Sequence, residues 1–173
     1  MLNLYKFLSI IFLPIIILNL YLRVYLKKED KKRYFERFGI TTKKIESAKE
    51  VIWIHAASVG EFKSSDIIID RYHKDFYIVV TTTTKTAANY IKLYYNEKVT
   101  HQYIPFDIPF WCSKFLNFWQ PKLILWIESD IWPNMLKLIK DKKISCLYLN
   151  ARISPKSFNK WKYLNNLYSN SLD

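Results

Sequence analysis

VIWIHAASVGE, residues 51–61, sets the fold class. VIWIHA is a near-continuous apolar run rich in β-branched and aromatic residues. Such a run suits a strand buried on both faces, as in a parallel sheet. It then turns polar at HAASVGE, which holds Gly60, one of only two glycines in the chain. A glycine where a strand turns into a helix admits φ > 0 and close backbone approach. Glu61 falls in the first turn of the following helix, where free N–H groups and the helix dipole favour a carboxylate. A carboxylate at a cleft edge can take a proton from a substrate hydroxyl. Taken alone, Ser58 and Glu61 also match a capping box, which reads simply as the start of a helix.

Four more runs of the same kind follow: FYIVVTT (76–82), VTHQYIP (99–105), LILWIE (123–128) and SCLYLNA (145–151). Between them lie EFKSSDIIIDRYH, TAANYIKLYY, FWCSKFLNFW and PNMLKLIKDK, with apolar residues at helical spacing. The last stretch, SPKSFNKWKYLNNLYSNSLD, reads as one more helix. Five strands alternating with helices predict an α/β domain, a Rossmann-like doubly wound parallel sheet over residues 49–173. The runs end in HAASVGE, TTTTKT, PFDIP, ESD and NAR. In an open α/β sheet those polar ends lie along one edge, where such folds bind ligands.

The chain has 173 residues, half of them hydrophobic and 17% aromatic, which excludes disorder. Its net charge of +12 calls for an acidic partner. No zinc-finger spacing, RNP-type aromatic motif or basic zipper is present, which argues against nucleic acid. Cys112 and Cys146 read as small buried hydrophobes. His55, His73 and His101 show no metal-ligand spacing, so neither a metal nor a cofactor is expected.

Residues 7–22, FLSIIFLPIIILNLYL, form an apolar segment between Lys6 and Arg23. Sixteen residues give about 24 Å of helix, slightly short of a hydrocarbon core of about 30 Å. Tyr5, Tyr21 and Tyr25 stand where interfacial aromatics belong. No small-residue cleavage site follows. Residues 1–26 are therefore expected to be an uncleaved membrane-anchor helix, either spanning the bilayer or dipping into one leaflet. In RVYLKKEDKKR (23–33), six basic residues against two acidic ones give +4. The basic segment 27–48 is thus expected to face anionic lipid on the cytoplasmic side.

Glu128 closes an apolar run, and a buried carboxylate needs either a partner, such as Arg152, or a function. Ser129 and Asp130 fill the loop before Pro133, which suits the first turn of a helix.

RFG (37–39), IHAASVGE (54–61), VTTTTKTA (80–87), IPFDIP (104–109), ESDIWPN (128–134) and NARIS (150–154) occur in an order that resembles the N-terminal domain of 3-deoxy-D-manno-octulosonic acid (Kdo) transferases. The resemblance covers essentially the whole chain. It implies a two-domain GT-B glycosyltransferase of lipopolysaccharide core biosynthesis at the cytoplasmic face of the inner membrane. Such an enzyme transfers Kdo from CMP-Kdo to the 6′-hydroxyl of the lipid A precursor, with inversion and no catalytic metal. By the same resemblance Glu61 is the proton acceptor and Glu128 stabilises the transition state. Ser58, Gly60, Asn150 and Arg152 fall in matching motifs and are expected at the acceptor site.

An inverting transfer needs a base beside the attacking hydroxyl and no covalent intermediate. Ser58 is not framed as a hydrolase G-x-S-x-G nucleophile. Two departures stand out: Ala87 where the family commonly has glycine, and Asp130 where it commonly has Glu. The family's donor domain, which holds most of the CMP-Kdo site, would follow Asp173, so the chain alone is expected to be inactive. The alternative is a non-catalytic membrane-bound module that binds acidic glycolipid.

Overall fold

A computed structural model of the chain describes residues 2–43, 48–127 and 132–150. Helices α1 (Leu2–Ile11) and α2 (Leu13–Tyr25) lead into a short 3₁₀ turn at Tyr34–Phe38. Then follow β1 (Val51–His55), α3 (Val59–Lys63), α4 (Asp66–Tyr72), β2 (Tyr77–Thr82), α5 (Lys85–Tyr94) and β3 (Thr100–Tyr103). The described elements end with α6 (Pro109–Trp119), β4 (Leu123–Ile127), α7 (Pro133–Asp141) and β5 (Ser145–Leu149).

The five strands form one parallel sheet in the order β3-β2-β1-β4-β5. This is the doubly wound arrangement the apolar runs predict. Its chain leaves β1 in one direction through β2 and in the other through β4. The switch point therefore lies between β1 and β4, where His55 pairs in register with Trp126. Ligands of such sheets bind outside the strand ends at that place.

Strand periodicity divides the core in two. Trp53, Val79, Ile124 and Trp126 pack with Phe115 and Trp119 of α6 and Met135 and Ile139 of α7. Ile52, Ile54, Val80 and Leu125 face the other way, onto Phe62, Ile69 and Ile91 of α3, α4 and α5. The expected helix over 61–73 is two helices. At their junction the Ser65 hydroxyl donates to the Phe62 carbonyl at 2.6 Å, competing with the helical ladder. β3 stops at Tyr103, two residues before Pro105, which has no N–H for a ladder bond.

The single anchor helix expected over residues 1–26 is not what forms. α1 and α2 are bent by 56° at the break between them, and no single helix among the described residues is long and apolar enough to cross a membrane. By length and composition the bent pair passes that test together. Pro14 accounts for the break. It sits in the first turn of α2, and within a continuous helix its ring would clash with the Ile10 carbonyl and forfeit a hydrogen bond. Phe7, Ile15 and Leu18, each about 60% exposed, leave the outer face of the pair apolar.

The basic stretch after α2 is also less free than its composition suggests. Arg23 bonds Glu29 at 3.2 Å, and Arg33 bonds both carboxylate oxygens of Glu36 at 2.8 and 2.9 Å. Lys27, Lys28, Lys31 and Lys32 remain exposed. Arg37 of the RFG motif is buried. It donates twice to Glu29 (3.1 and 2.7 Å), once to the Ile104 carbonyl (3.1 Å) and once to the Thr83 carbonyl (2.6 Å). Gly39 has φ +66°, and a Cβ there would stand 2.2 Å from the Trp111 carbonyl oxygen, so only glycine fits.

Replacing Arg37 by alanine should destabilise the fold by about 3–5 kcal/mol, because buried Glu29 loses both bonds to Oε1 and keeps only the half-exposed Arg23 at Oε2. Urea unfolding of the variant checks this, and a loss below about 1 kcal/mol would contradict the assignment.

Candidate functional site

The β1–α3 turn is built by its own side chains. Ser58 has extended backbone angles (φ −128°, ψ 170°), and its hydroxyl oxygen accepts the Glu61 N–H at 3.3 Å. In return, Glu61 Oε2 accepts the Ala57 N–H at 2.7 Å and Oε1 accepts the Ser58 hydroxyl at 2.8 Å. The capping box is therefore formed, with the Glu61 side chain reaching one residue further back than usual. Both oxygens keep lone pairs for a further donor, since an ionised carboxylate offers about four acceptor positions. Glu61 is half-buried at the carboxyl end of β1, beside the switch point.

Gly60 lies inside α3 without a positive φ; among the two glycines only Gly39 has one. A Cβ at Gly60 would meet nothing nearer than the Ser58 hydroxyl at 3.9 Å. The expected left-handed elbow is thus absent. What Gly60 provides is an exposed, unobstructed helix surface one residue before Glu61.

The turn is braced by the β2–α5 loop. Thr83 donates its hydroxyl to the Ala57 carbonyl at 2.8 Å, and the Ala56 N–H reaches the Thr81 carbonyl at 3.0 Å. Thr84 caps α5 by accepting the Ala87 N–H at 3.2 Å. Ala87 occupies an ordinary helical position there, fully buried, so the missing glycine disturbs nothing.

Asn150 follows β5 in the left-handed region (φ 53°), which asparagine tolerates better than most residues. It is exposed on the same sheet edge as Glu61, two strands from β1. Glu128, Asp130 and Arg152 lie outside the described residues. Ser58, Gly60 and Glu61 are thus brought into one turn, with Asn150 further along the edge.

His55 carries more than its sequence context suggested. It is fully buried at the end of β1, with its ring centroid 4.5 Å from that of Trp126. Nδ1 lies 3.0 Å from the Thr81 hydroxyl, while Nε2 has no hydrogen-bond partner among the described residues. Burial, aided by the Arg37 charge and opposed by a hydrogen bond to the Thr81 backbone, pushes its pKa down to about 3. His101 is held neutral in the same way: burial lowers its pKa well below the usual value, and the Arg33, Arg37 and Lys43 charges add to the effect. Arg33 donates to its Nδ1 at 2.9 Å, so Nε2 carries the proton and bonds Thr82 at 2.9 Å.

Cys112 is buried, and burial together with Asp107 raises its thiol pKa well above the usual value. Burial also raises that of Cys146, to about 11. Neither supplies a thiolate near neutral pH. Among the described residues, no three His, Cys, Asp or Glu side chains cluster so as to hold a metal ion.

Residues 32–173 match a family described as 3-Deoxy-D-manno-octulosonic-acid transferase (kdotransferase). The chain is similar to the 3-deoxy-D-manno-octulosonic acid transferase of Rickettsia bellii (strain RML369-C). The two are 38% identical over 165 residues, which is 94% of this chain and 39% of the relative. The protein of the same name from Haemophilus influenzae is 33% identical over 134 residues, 76% of this chain and 31% of the relative. The "Probable 3-deoxy-D-manno-octulosonic acid transferase, mitochondrial" of Arabidopsis thaliana is 34% identical over 162 residues, 92% of this chain and 36% of the relative. The chain therefore spans less than half the length of these relatives.

The two neutral imidazoles make stability depend on pH. Their folded pKa values lie below 6.5, the value regained on unfolding, so the unfolded chain binds more protons as pH falls. Stability should be full above pH 7 and decline below about 6.5, each histidine costing on the order of 1 kcal/mol by pH 5.5. Urea midpoints measured from pH 7.5 to 5.5 should show this slope, and His55→Asn should remove about half of it. An unchanged slope in the variant would contradict a neutral His55.

Proposed function

Because the chain belongs to the 3-deoxy-D-manno-octulosonic acid transferase family, we propose that it is the acceptor-binding half of a GT-B glycosyltransferase of lipopolysaccharide biosynthesis. In this reading Kdo passes from CMP-Kdo to a hydroxyl of the lipid A precursor, with inversion and without a metal. Glu61 accepts the proton, and Glu128, on the stretch after the neighbouring strand, stabilises the transition state. Ser58, Gly60, Asn150 and Arg152 contact the acceptor. The observation that carries the reading is the position of Glu61. Its carboxylate is fixed by two hydrogen bonds at the carboxyl end of β1, beside the switch point, with acceptor capacity to spare.

Chemistry at that position follows from the geometry. As the acceptor hydroxyl attacks the sugar carbon, the bond from that carbon to the CMP phosphate oxygen breaks, CMP leaves with the electron pair, and the hydroxyl proton moves to a Glu61 oxygen. Preorganised bonds from Ala57 and Ser58 steady the carboxylate, so little reorganisation accompanies the transfer. The donor sugar and most of its nucleotide contacts belong to the second domain of the family.

The protein is further proposed to sit at the cytoplasmic face of the inner membrane. Supporting this are the apolar outer face of α1 and α2 and the exposed Lys27, Lys28, Lys31 and Lys32 beside it. Four such lysines near anionic lipid contribute roughly 1 kcal/mol each. The 56° bend makes a segment dipping into one leaflet a better fit than a straight span.

A second reading, a non-catalytic module that binds acidic glycolipid, draws on the capping box, which by itself gives Glu61 a structural reason to exist.

The two separate experimentally. Joined to the C-terminal remainder of the Rickettsia bellii relative, the chain should transfer Kdo to a detergent-dispersed lipid A precursor. Glu61→Gln should lower turnover by about 10²–10⁴-fold while leaving the melting temperature unchanged, because the amide oxygen still accepts the Ala57 N–H. Ser58→Ala should destabilise by about 1 kcal/mol through loss of the cap and reduce turnover far less. Turnover of Glu61→Gln within tenfold of the parent would overturn the base assignment. No transfer by the parent, with glycolipid binding undiminished by Glu61→Ala, would support the second reading.

A further inference from the structure

A hollow of about 430 Å³ lies at the β3 edge of the sheet, and no residue of the Ser58–Glu61 turn lines it. That volume suits a small ligand. Asp30 and Arg33, from the segment after α2, contribute to its lining, as do Lys43, Lys92 of α5 and His101 of β3.

These side chains offer more hydrogen-bond donors than acceptors. Arg33 commits Nε and Nη2 to Glu36 at 2.8 and 2.9 Å, and Nη2 also reaches the His101 carbonyl at 2.8 Å. Its Nη1, with two N–H groups, has no acceptor among the described residues. The ammonium groups of Lys43 and Lys92 have none there either, and both side chains are exposed. His101 cannot serve as a ligand, because Arg33 engages Nδ1 and Thr82 engages Nε2, each at 2.9 Å. Asp30 is the one acid in the lining, and its Oδ1 already accepts the Lys32 N–H at 2.9 Å.

Arg33, Lys43 and Lys92 against Asp30 leave the hollow positive, although buried Glu36 offsets part of the Arg33 charge. Such a surplus of donors repels a metal ion and calls for a small anion rich in acceptors. A terminal phosphate brings three strong acceptor oxygens and up to two negative charges. Arginine and lysine bond such oxygens through charge-assisted hydrogen bonds.

The hollow also borders the surface assigned above to anionic lipid. Asp30 and Arg33 belong to the same stretch as the exposed Lys27, Lys28, Lys31 and Lys32. Lys85, at the start of α5, donates to the Lys27 carbonyl at 3.0 Å and so holds that stretch against the helix. We propose that this hollow binds a terminal phosphate group, carried by a membrane lipid or by a small soluble phosphate monoester. The proposal does not rest on the transferase reading, and it takes from the membrane placement only the lipid as a source.

Two charge-matched variants test it. Lys43→Gln with Lys92→Gln removes two exposed donors of the hollow and leaves the core untouched. Lys74→Gln with Lys142→Gln, just before β2 and β5 at the opposite edge of the sheet, lowers the net charge equally. The chain in detergent micelles is titrated by calorimetry in two arms. One arm uses glycerol 3-phosphate, and the other a short-chain phosphatidic acid dispersed in the same micelles. In at least one arm the Lys43 and Lys92 pair should weaken binding tenfold or more, and the Lys74 and Lys142 pair less than threefold.

That difference in the phosphatidic acid arm alone assigns the phosphate to a lipid. The same difference with glycerol 3-phosphate supports a soluble monoester, whether or not the lipid binds as well. Equal losses in the two variants in both arms would overturn the proposal, since net charge alone would then explain binding. Absence of binding by the parent chain in both arms would overturn it too.

Discussion

Glu29 and Arg37 are both out of water, and the pair survives there because the guanidinium leaves little unsatisfied. It gives two bonds to the carboxylate, one to the Ile104 carbonyl and one to the Thr83 carbonyl, and it lies over the Tyr103 ring at 4.8 Å. A buried ion pair on its own adds little net stability, because desolvating two charges offsets their attraction. Its value here is geometric. Three segments distant in sequence, the turn after α2, the β2–α5 loop and the end of β3, must all be in place to satisfy one side chain. From there the bonds continue: Arg37 to the Thr83 carbonyl, the Thr83 hydroxyl to the Ala57 carbonyl, and the Ala57 N–H to Glu61. The proposed base stands at the far end of a chain of directional contacts that starts at a buried arginine.

That continuity bears on the choice between Glu61 as helix cap and Glu61 as base, because the two roles use the same features. The Ala57 N–H and the Ser58 hydroxyl fix the carboxylate in one rotamer and one place. A catalytic group loses effectiveness when it must be ordered during the reaction, and the cap does that ordering during folding. Capping consumes two of about four acceptor positions. The other two stay available.

The sheet was legible in the chain because burial on both faces writes itself as unbroken apolar runs, and all five such runs became strands. The polar stretches that follow those runs were legible too, and in the parallel sheet they fall along one edge. Less readable were the features that depend on which distant residues meet. Arg23 and Arg33 counted as lipid-facing charge, yet Glu29 and Glu36 take them up, and Arg33 also reaches the His101 carbonyl 68 residues away. Asp107 looked like a strand-end polar residue, and its partners lie on α1 and α7. The break between α1 and α2 was within reach: Pro14 stands in the middle of the apolar segment, but an argument from length and hydropathy alone passes over a missing N–H. Gly60 drew attention as a turn glycine, whereas the residue that needs a positive φ is Gly39, whose constraint comes from Trp111 and leaves no trace nearby in sequence.

The inner and outer faces of the bent α1–α2 pair solve different problems. Outward it shows large apolar side chains, and inward it is tied through Tyr5 to Asp107, Ser9 to Asn134 and Arg23 to Glu29. An apolar helix in lipid gains nothing from leaving lipid for another apolar surface, so greasy contacts alone would not hold it against its own domain. Hydrogen bonds sheltered from water do provide such a hold, and they also fix depth and rotation. Under the proposed membrane placement, the polar residues scattered through an otherwise apolar segment are what orient the domain. On that placement they would hold the edge that carries Glu61 at a set height above the leaflet.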